Sequence, residues 1–339
     1  MKLIMAGLDH NRSDIEVREK FALTKERTGK ILSSVKESGL VGGCVIITTC
    51  NRTEFYASVP ADALYEPSKT LCEMLNRDYF EYKQFFTERA DRQAIDHLCR
   101  VASGLDSQII GDDQIITQVR EALELSRERG CTDGYIETMF KTAIQAAKKV
   151  KTNVILKTLG IDSVPDKAVA KLKTICPLAG WSAVVIGNGQ TGRLVSQLLI
   201  HENVNVTVTL RQYKKGAIQV PKGANTILYS ERYGAIGHAD IVVSATTSPH
   251  FTLTYGELCK LEHIPGIIVD LAVPRDAEPS IGGIPGVALL TIDDIAGDES
   301  RKIPPKSAKE IDSIISKHIE QYYRWFAFKE SFVHAGGSK

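Results

Sequence analysis

The sequence has 339 residues, of which 43% are hydrophobic and 24% charged, the balance of a folded globular protein rather than a disordered or fibrous one. A chain of this length predicts two domains or more, because one hydrophobic core rarely extends over so many residues. The 42 basic and 41 acidic residues leave a net charge of +1, so bulk charge does not indicate a nucleic-acid partner.

Membrane insertion, secretion and structural zinc are not indicated either. No apolar run approaches the about 20 residues of a membrane helix. Asp9 and Asn11 interrupt the N-terminal segment too early for a secretory signal. The seven cysteines are scattered and include no CxxC pair, which argues against a disulfide framework and a zinc site. We therefore expect a cytoplasmic protein with no membrane segment and no metal.

Residues 1–60 predict a strand, a helix and a second strand. MKLIMAGL is a short apolar strand, residues 16–38 have the spacing of an amphipathic helix, and CVIITTC is a β-branched run that ends at Cys50. A cysteine in such a run is more often a small core residue than a nucleophile. The polar turn TCNRTE shifts this balance, because Arg52 lies two residues away and would favour the thiolate.

Residues 90–150 predict three helices, with Gly104 and Gly130 near two of their ends and Asp112 as an N-cap. His97 lies on the first helix, where a packed histidine is more common than a catalytic one. Asp113 alone is typical of an acid in a helix's first turn, where it offsets the helix dipole. Gln114 and Gln118 are four residues apart, so they share one side of the second helix.

From Trp181 onward, strands and helices alternate, which predicts a parallel sheet covered by helices. The strand candidates are SAVVIG, NVTVTL, ADIVVSAT, GIIVDLAV and VALLTI, and helices are expected over 191–201 and 255–261. Thr254 and Glu257 predict a capping box for the second of these helices. The fold class is α/β multidomain: an N-terminal α+β catalytic domain over 1–155, a Rossmann NADP-binding domain over 165–298, and a C-terminal helix over 303–335.

A G-x-G-x-x-G motif follows the first of these strands and opens a helix, where glycines let backbone N–H groups meet a pyrophosphate. The motif consists of Gly187, Asn188, Gly189, Gln190, Thr191 and Gly192. After the second strand an NAD enzyme would have a carboxylate, whereas this chain has LRQYKK. Arg211 and Lys214 therefore predict a site for the 2′-phosphate of NADPH; the alternative for the lysines is a solvated loop. Arg211 is the better candidate, because a guanidinium both pairs with phosphate and stacks on adenine.

Several sequence blocks appear in the order found in glutamyl-tRNA reductases, and the chain resembles that family from about residue 5 to residue 295. The blocks are TTCNRTEFY, HLCRVASGLDSQIIGDDQIITQV, the glycine motif, ADIVVSATTSPH and DLAVPRDAEP. The resemblance implies that Cys50 attacks the ester of glutamyl-tRNA and that NADPH reduces the resulting thioester to glutamate-1-semialdehyde. This is the first step of tetrapyrrole synthesis through 5-aminolevulinate.

The resemblance also assigns roles to individual residues. His97 falls on the family's catalytically important histidine, and Arg52 is the natural partner for the substrate's side-chain carboxylate. Contacts with the substrate are implied for Thr49, Asn51, Arg52, Ser107, Asp112, Asp113, Gln114 and Gln118. Glutamyl-tRNA is then the substrate and glutamate-1-semialdehyde aminomutase a candidate partner. A homodimer stays open, because the expected C-terminal region is shorter than the family's dimerisation domain.

Three alternatives remain at this stage. The first is a paralogue that reduces another aminoacyl-tRNA or an acyl carrier by the same mechanism. The second is a non-catalytic relative that binds tRNA or an enzyme partner as a regulator. The third is an ordinary small-molecule dehydrogenase, an interpretation that leaves the TCNR block without a role.

Overall fold

In a computed structural model, the structure describes residues 1–107, 114–154, 163–211, 219–296 and 303–336, with side chains as far as Ser331. The chain forms two compact units. The first comprises the described residues of Met1–Ile161 and of Ser300–Lys339, and the second those of Asp162–Glu299. The C-terminal helix, which the sequence analysis set apart over 303–335, thus packs within the first unit.

The first unit combines an antiparallel sheet with helices on both of its faces. Its strands are β1 Lys2–Asp9, β2 Gly43–Thr48, β3 Arg52–Val59 and β4 Thr87–Ala90. Its helices are α1 Ile15–Phe21, α2 Lys25–Glu37, α3 Pro67–Met74, α4 Tyr79–Tyr82, α5 Asp91–Ala102, α6 Gln114–Glu128, α7 Gly134–Asn153 and, at the C-terminal end, α13 Pro305–Gly336.

The sheet has the strand order β2-β3-β1-β4, with every neighbouring pair antiparallel. Successive side chains of a strand point to opposite faces. On one face, Met5 and Tyr56 pack in a core with α5, α6, α7 and α13. On the other face, Ala6 and Phe55 pack in a core with α1, α2 and α3. Because both faces are covered, every residue of β3 is buried, including its charged ones.

The sequence analysis missed β3 and β4 and treated residues 16–38 as one helix, which is wrong. Helix α1 ends at Phe21, and α2 begins at Lys25. The hydroxyl of Thr24 accepts a hydrogen bond from the N–H of Arg27, so Thr24 is the N-cap of a new helix. Strand β3 was missed because its first residues, Arg52 to Glu54, are polar and were assigned to a loop.

The second unit is a parallel sheet with helices on both faces. Its strands are β5 Ser182–Ile186, β6 Asn205–Leu210, β7 Asn225–Leu228, β8 Ile241–Ser244, β9 Ile267–Asp270 and β10 Ala288–Thr291. Its helices are α8 Val164–Ile175, α9 Gln190–His201, α10 Arg232–Ile236, α11 Tyr255–Leu258 and α12 Ile292–Ala296. The strand order β10-β9-β8-β5-β6-β7 is that of the doubly wound dinucleotide-binding fold.

The predicted parallel sheet and Rossmann fold are confirmed, and all five predicted strands are present. The sixth, β7, is a short edge strand that the sequence analysis missed. Helix α11 ends at Leu258, earlier than predicted, and no side-chain bond caps it, so the capping box at Thr254 is wrong. Among the described helices, none combines the length and apolar composition that crossing a membrane requires.

Candidate functional site

Cys50 lies in the tight turn of a β-hairpin. Thr48 of β2 pairs with Thr53 of β3, and the N–H of Thr49 donates to the carbonyl of Arg52 at 2.9 Å, which closes the turn. Cys50 is half-buried in this turn, whereas Cys259 is exposed and the other five cysteines are buried. A thiol at this position can meet a ligand without leaving the fold, so the geometry is compatible with a nucleophile.

Thr49 and Asn51 flank Cys50; the side chain of Thr49 is hydrogen bonded, whereas within the described chain the side-chain oxygen of Asn51 is not. The hydroxyl of Thr49 accepts from the N–H of Asn51 at 3.1 Å, and the carbonyl of Asn51 accepts from the N–H of His10 at 3.0 Å. The side-chain oxygen of Asn51 is buried and has no hydrogen-bond partner among the described residues. A buried polar atom without a partner is costly, so this oxygen is a candidate acceptor for a ligand's N–H group.

Arg52, the first residue of β3, is 1% exposed. Its Nη1 donates to Oε1 of Glu54 at 2.6 Å, and its Nη2 donates to the main-chain carbonyl of Asp106. Burial lowers the pKa of the guanidinium, but the nearby Glu54, Asp9 and Asp106 outweigh that effect and raise it. Arg52 is therefore a fixed positive charge held by the protein's own groups.

His97 on α5 faces the same carboxylate. It is 5% exposed, and its Nε2 lies 2.8 Å from Oε1 of Glu54, while its Nδ1 lies 3.4 Å from Oδ2 of Asp106. Burial disfavours the charged imidazolium, yet the charge of Glu54 and the hydrogen bond with Asp106 prevail and raise the pKa of His97 to about 9. At neutral pH His97 is thus an imidazolium that donates from both nitrogens.

Glu54 is the centre of this cluster, and it is 1% exposed. Besides Arg52 and His97, it accepts a hydrogen bond at 2.6 Å from the hydroxyl of Tyr56. Burial favours the neutral acid, but His97 and Arg52 hold the pKa of Glu54 far below its usual range. The side chain of Asp106 is 32% exposed. Its partial burial raises the pKa, but the contacts with His97 outweigh that effect, so the pKa of Asp106 is lowered.

We call Arg52, Glu54, His97 and Asp106 the charge network. Its two cations and two anions balance, and each is hydrogen bonded, which makes their burial tolerable. The sequence analysis selected Arg52 and His97 but missed Glu54, Tyr56 and Asp106. Glu54 and Tyr56 could have been identified from the two-residue period of β3, which places them on the same face as Arg52.

The remaining predicted substrate residues lie farther along the chain. Ser107 follows Asp106 directly and is half-buried. Gln114 and Gln118 are both half-buried in the first turns of α6, four residues apart as predicted. Asp112 and Asp113 lie outside the described residues. The described residues contain no group of three or more His, Cys, Asp or Glu side chains that could hold a metal ion.

In the second unit, the glycine motif forms the turn between β5 and α9. Gly187 has a φ of 107°, and a Cβ there would lie 2.6 Å from the carbonyl oxygen of Ala245. A Cβ at Gly192 would lie 2.0 Å from the carbonyl oxygen of Gly187. Both positions therefore require glycine for the tight turn and for close helix packing.

Gly189 is different, because a Cβ there would meet no atom of the described chain within 4 Å. The open space lies at the N-cap of α9, where helix N–H groups attract a pyrophosphate. Because Gly189 has no side chain, this space stays open, and the pyrophosphate of a dinucleotide can approach the backbone of the turn. Asn188 donates from its amide to the carbonyl of Gln219 at 3.0 Å, and its side-chain oxygen is buried without a partner among the described residues.

The other predicted cofactor residues lie around this turn. Gln190 and Thr191 form the first turn of α9. The N–H of Gly187 donates to the hydroxyl of Thr209 at 3.3 Å, which ties the turn to β6. Arg211 follows β6 directly and is exposed, with its guanidinium 5.1 Å from the ring centroid of Tyr229. Lys214 lies outside the described residues.

Comparison with known proteins agrees with this geometry. Residues 6–154 match the family model described as the N-terminal domain of glutamyl-tRNA(Glu) reductase, and residues 169–297 match that of shikimate/quinate 5-dehydrogenase. The chain is 42% identical to a glutamyl-tRNA reductase of Alkaliphilus oremlandii, over 97% of this chain and 98% of the relative. It is 40% identical to one of Acetivibrio thermocellus, over 98% of this chain and 99% of the relative.

A solved structure extends the similarity to three dimensions. Glutamyl-tRNA reductase from Methanopyrus kandleri is 25% identical, with a TM-score of 0.50, and the match covers 96% of this chain and 80% of that one. Sequence identity, domain content and fold agree over nearly the full length. The chain belongs to the glutamyl-tRNA reductase family.

Proposed function

We propose that the protein reduces glutamyl-tRNA to glutamate-1-semialdehyde with NADPH, through a thioester on Cys50. It is an oxidoreductase by family, and its dehydrogenase-type fold calls for a pyridine nucleotide. The observation that carries the proposal is the half-buried Cys50 in the turn that leads directly into the buried charge network. The reaction is the first step of tetrapyrrole synthesis.

In the first step, the Cys50 sulfur forms a bond to the ester carbonyl carbon of glutamyl-tRNA. The bond from that carbon to the terminal ribose oxygen breaks, and the tRNA leaves as an alcohol after taking up a proton. The thioester conserves the activation of the ester. This matters because a free carboxylate is a poor hydride acceptor, whereas a thioester carbonyl is electrophilic.

In the second step, the thioester carbonyl carbon takes up a hydride, which NADPH would supply when bound. The carbon–sulfur bond then breaks, which releases the aldehyde and returns Cys50 to its starting state. The carbonyl carbon gains two electrons, so no further reductant is needed. The thiol must be reduced at the start of each cycle, so the proposal places the enzyme in a reducing compartment such as the cytoplasm.

The residues beside Cys50 are proposed to hold the glutamyl group. The unpartnered oxygen of Asn51 is suited to the substrate's α-ammonium group, a strong donor. Thr49 would assist from the same turn, and Ser107, Asp112, Asp113, Gln114 and Gln118 complete the proposed contacts. Arg52 is proposed to attract the substrate's side-chain carboxylate through its charge, because only 1% of it is accessible for direct contact.

His97 is proposed to act as a cation rather than as a base. A base needs a free lone pair at the operating pH, and a histidine with a pKa of about 9 has none at neutral pH. The imidazolium instead neutralises the carboxylates of Glu54 and Asp106, whose negative charge would otherwise disfavour the Cys50 thiolate and a developing oxyanion. Glu54 and Asp106 fix the orientation of its ring.

The choice of NADPH over NADH is supported by Arg211, an exposed guanidinium at the end of the second strand of the doubly wound sheet. The proposed cofactor contacts are Gly187, Asn188, Gly189, Gln190, Thr191, Gly192, Arg211 and Lys214. Docking of glutamate-1-semialdehyde aminomutase and a homodimer are further parts of the proposal. Direct transfer of the aldehyde product from this enzyme to the aminomutase would support the proposed docking.

The test compares Cys50→Ser with Cys259→Ser, a control that removes an exposed thiol of the other unit. We expect Cys50→Ser to abolish reduction of glutamyl-tRNA and to leave NADPH binding intact, while the control keeps both. Robust reduction by Cys50→Ser would refute the nucleophile. Reduction of a different charged tRNA in a panel would indicate a paralogue, and tRNA binding without NADPH oxidation by the parent protein would indicate a regulator.

A further inference from the structure

Two arginines of the second unit share one aromatic ring. The guanidinium carbon of Arg211 lies 5.1 Å from the ring centroid of Tyr229, and that of Arg232 lies 4.1 Å from the same centroid. Arg232 also lies 4.5 Å from the ring of Tyr233. These distances are within the range of cation–π attraction. Tyr229 is thus the shared cation–π partner of Arg211 and Arg232.

The two arginines are held to different degrees. Arg232 donates from Nε to the carbonyl of Thr252 at 3.0 Å and from Nη1 to the carbonyl of Tyr229 at 3.1 Å. The hydroxyl of Tyr233 also donates to Thr252, at 3.3 Å. These hydrogen bonds hold Arg232 in place, and Arg232 in turn packs against the ring of Tyr229. Arg211 is exposed, and its guanidinium packs against the ring of Tyr229 while Asp276 attracts it electrostatically.

Neither guanidinium forms an ion pair with a carboxylate of the described chain. Glu231 accepts from the N–H of Leu228 at 2.8 Å. Asp276, which attracts Arg211 electrostatically, accepts from the hydroxyls of Ser244 and Thr246. A guanidinium without a paired carboxylate is available to a phosphate dianion, to which Arg211 can offer a forked set of donors.

The position of this pair in the fold indicates which phosphate it would bind. Arg211 follows β6, the second strand of the doubly wound sheet, where such folds hold the adenosine ribose. Strand β6 is tied to the glycine turn through Thr209 and Gly187. The ribose 2′ position of a dinucleotide on that turn therefore lies on the side of Arg211.

From these contacts we infer that Tyr229 is a specificity-determining residue: its ring positions Arg211, with Arg232 as a second cation, for the 2′-phosphate of NADPH. The inference rests on the proposed NADPH dependence and adds the device that produces it. Tyr229 itself makes no bond to the phosphate. It reduces the freedom of the Arg211 side chain, so less conformational entropy is lost when the phosphate binds.

The experiment measures dissociation constants of the full-length protein by calorimetry for adenosine 2′,5′-bisphosphate and adenosine 5′-monophosphate, which differ in the 2′-phosphate. Tyr229→Leu should weaken the bisphosphate about twofold to fivefold, the range that corresponds to an exposed cation–π contact, and leave the monophosphate unchanged. Tyr229→Phe should restore the bisphosphate affinity, since its ring retains the same quadrupole. The NADPH-to-NADH preference should follow the same pattern.

Other results would overturn the inference. Unchanged bisphosphate affinity in Tyr229→Leu would show that the ring does not position Arg211. Equal weakening of both probes would show a role in the fold or in adenosine binding. Arg211→Glu, compared with Lys260→Glu as a surface charge control in the same unit, separates this failure from failure of the cofactor proposal. If Arg211→Glu does not selectively weaken the bisphosphate, the 2′-phosphate site itself is refuted.

Discussion

Replacing Glu54 with glutamine tests the charge network by changing one atom at its centre. The amide side chain has nearly the shape of the carboxylate and retains one acceptor oxygen, but it lacks the charge that Arg52 and His97 share. Its nitrogen would face the hydroxyl of Tyr56 or the ring of His97, where a carboxylate oxygen had been an acceptor. The packing thus stays constant while the electrostatics change.

The magnitude follows from the burial of the partners. Removing one partner of a buried ion pair costs ~3–5 kcal/mol, because the remaining charge is left uncompensated. A change in the pKa of His97 from 6.5 to about 9 corresponds by itself to ~3 kcal/mol of stability. Between these two pH values the native state binds more protons than the unfolded state, so stability decreases as pH rises. In Glu54→Gln we expect the free energy of unfolding to change much less over this pH range than in the parent protein.

The assay measures unfolding of the first unit in urea at pH 6.5 and at pH 9, with tryptophan fluorescence as the signal. The chain has two tryptophans, and Trp325 packs 5.9 Å from the ring of Tyr135 in the first unit. A Trp181→Phe background therefore makes the signal specific to that unit. The matched control is Glu26→Gln, which removes the charge of an exposed i,i+4 pair with Lys30 and should change stability little.

Two results would refute this reasoning. A loss of less than ~1 kcal/mol in Glu54→Gln at pH 6.5 would mean that the carboxylate is not a partner to buried charge. A decrease in stability between pH 6.5 and pH 9 that is the same in parent and variant would mean that Glu54 does not raise the pKa of His97. Either outcome would also remove the argument that His97 is an imidazolium at neutral pH.

Further predictions concern glycines. Gly7→Ala should destabilise the first unit by ~1–3 kcal/mol in urea unfolding, because its Cβ would lie 2.6 Å from Cγ of Glu54; parent-like stability would contradict that contact. Gly189→Val should leave thermal stability unchanged yet weaken dinucleotide binding in calorimetry, since its side chain would occupy the open space at the turn. Gly192→Val should lose both stability and binding, because a Cβ there would lie 2.0 Å from the carbonyl oxygen of Gly187; unchanged binding in both variants would contradict a dinucleotide at this turn.

The second unit could be predicted from the sequence in most of its features. Strands β5, β8 and β9 contain continuous apolar runs, and the glycine motif follows the first of them at the spacing that the turn requires. Strand β7 escaped prediction because its four residues lie at an exposed edge and have no apolar run. The pairing of Arg211 with Tyr229 joins residues 18 positions apart that follow two different strands, which no local pattern indicates.

The first unit was predicted less completely, for a physical reason. Strand β3 has charged residues facing a core, which contradicts the apolar pattern used to recognise buried strands. Those charges are tolerated because His97, 43 residues from Glu54 in sequence, meets them from α5. Long-range contacts of this kind exist only in the folded chain. The family resemblance selected Cys50 and His97 as candidates, but it did not reveal the carboxylates that contact His97.

The most direct measurement of the central claim is mass spectrometry of the protein after mixing with glutamyl-tRNA in the absence of NADPH. The account predicts a glutamyl adduct on the peptide that contains Cys50, sensitive to hydroxylamine as a thioester is, and its loss upon addition of NADPH with release of an aldehyde. An adduct on another residue, or NADPH oxidation by glutamyl-tRNA without any adduct on Cys50, would contradict it.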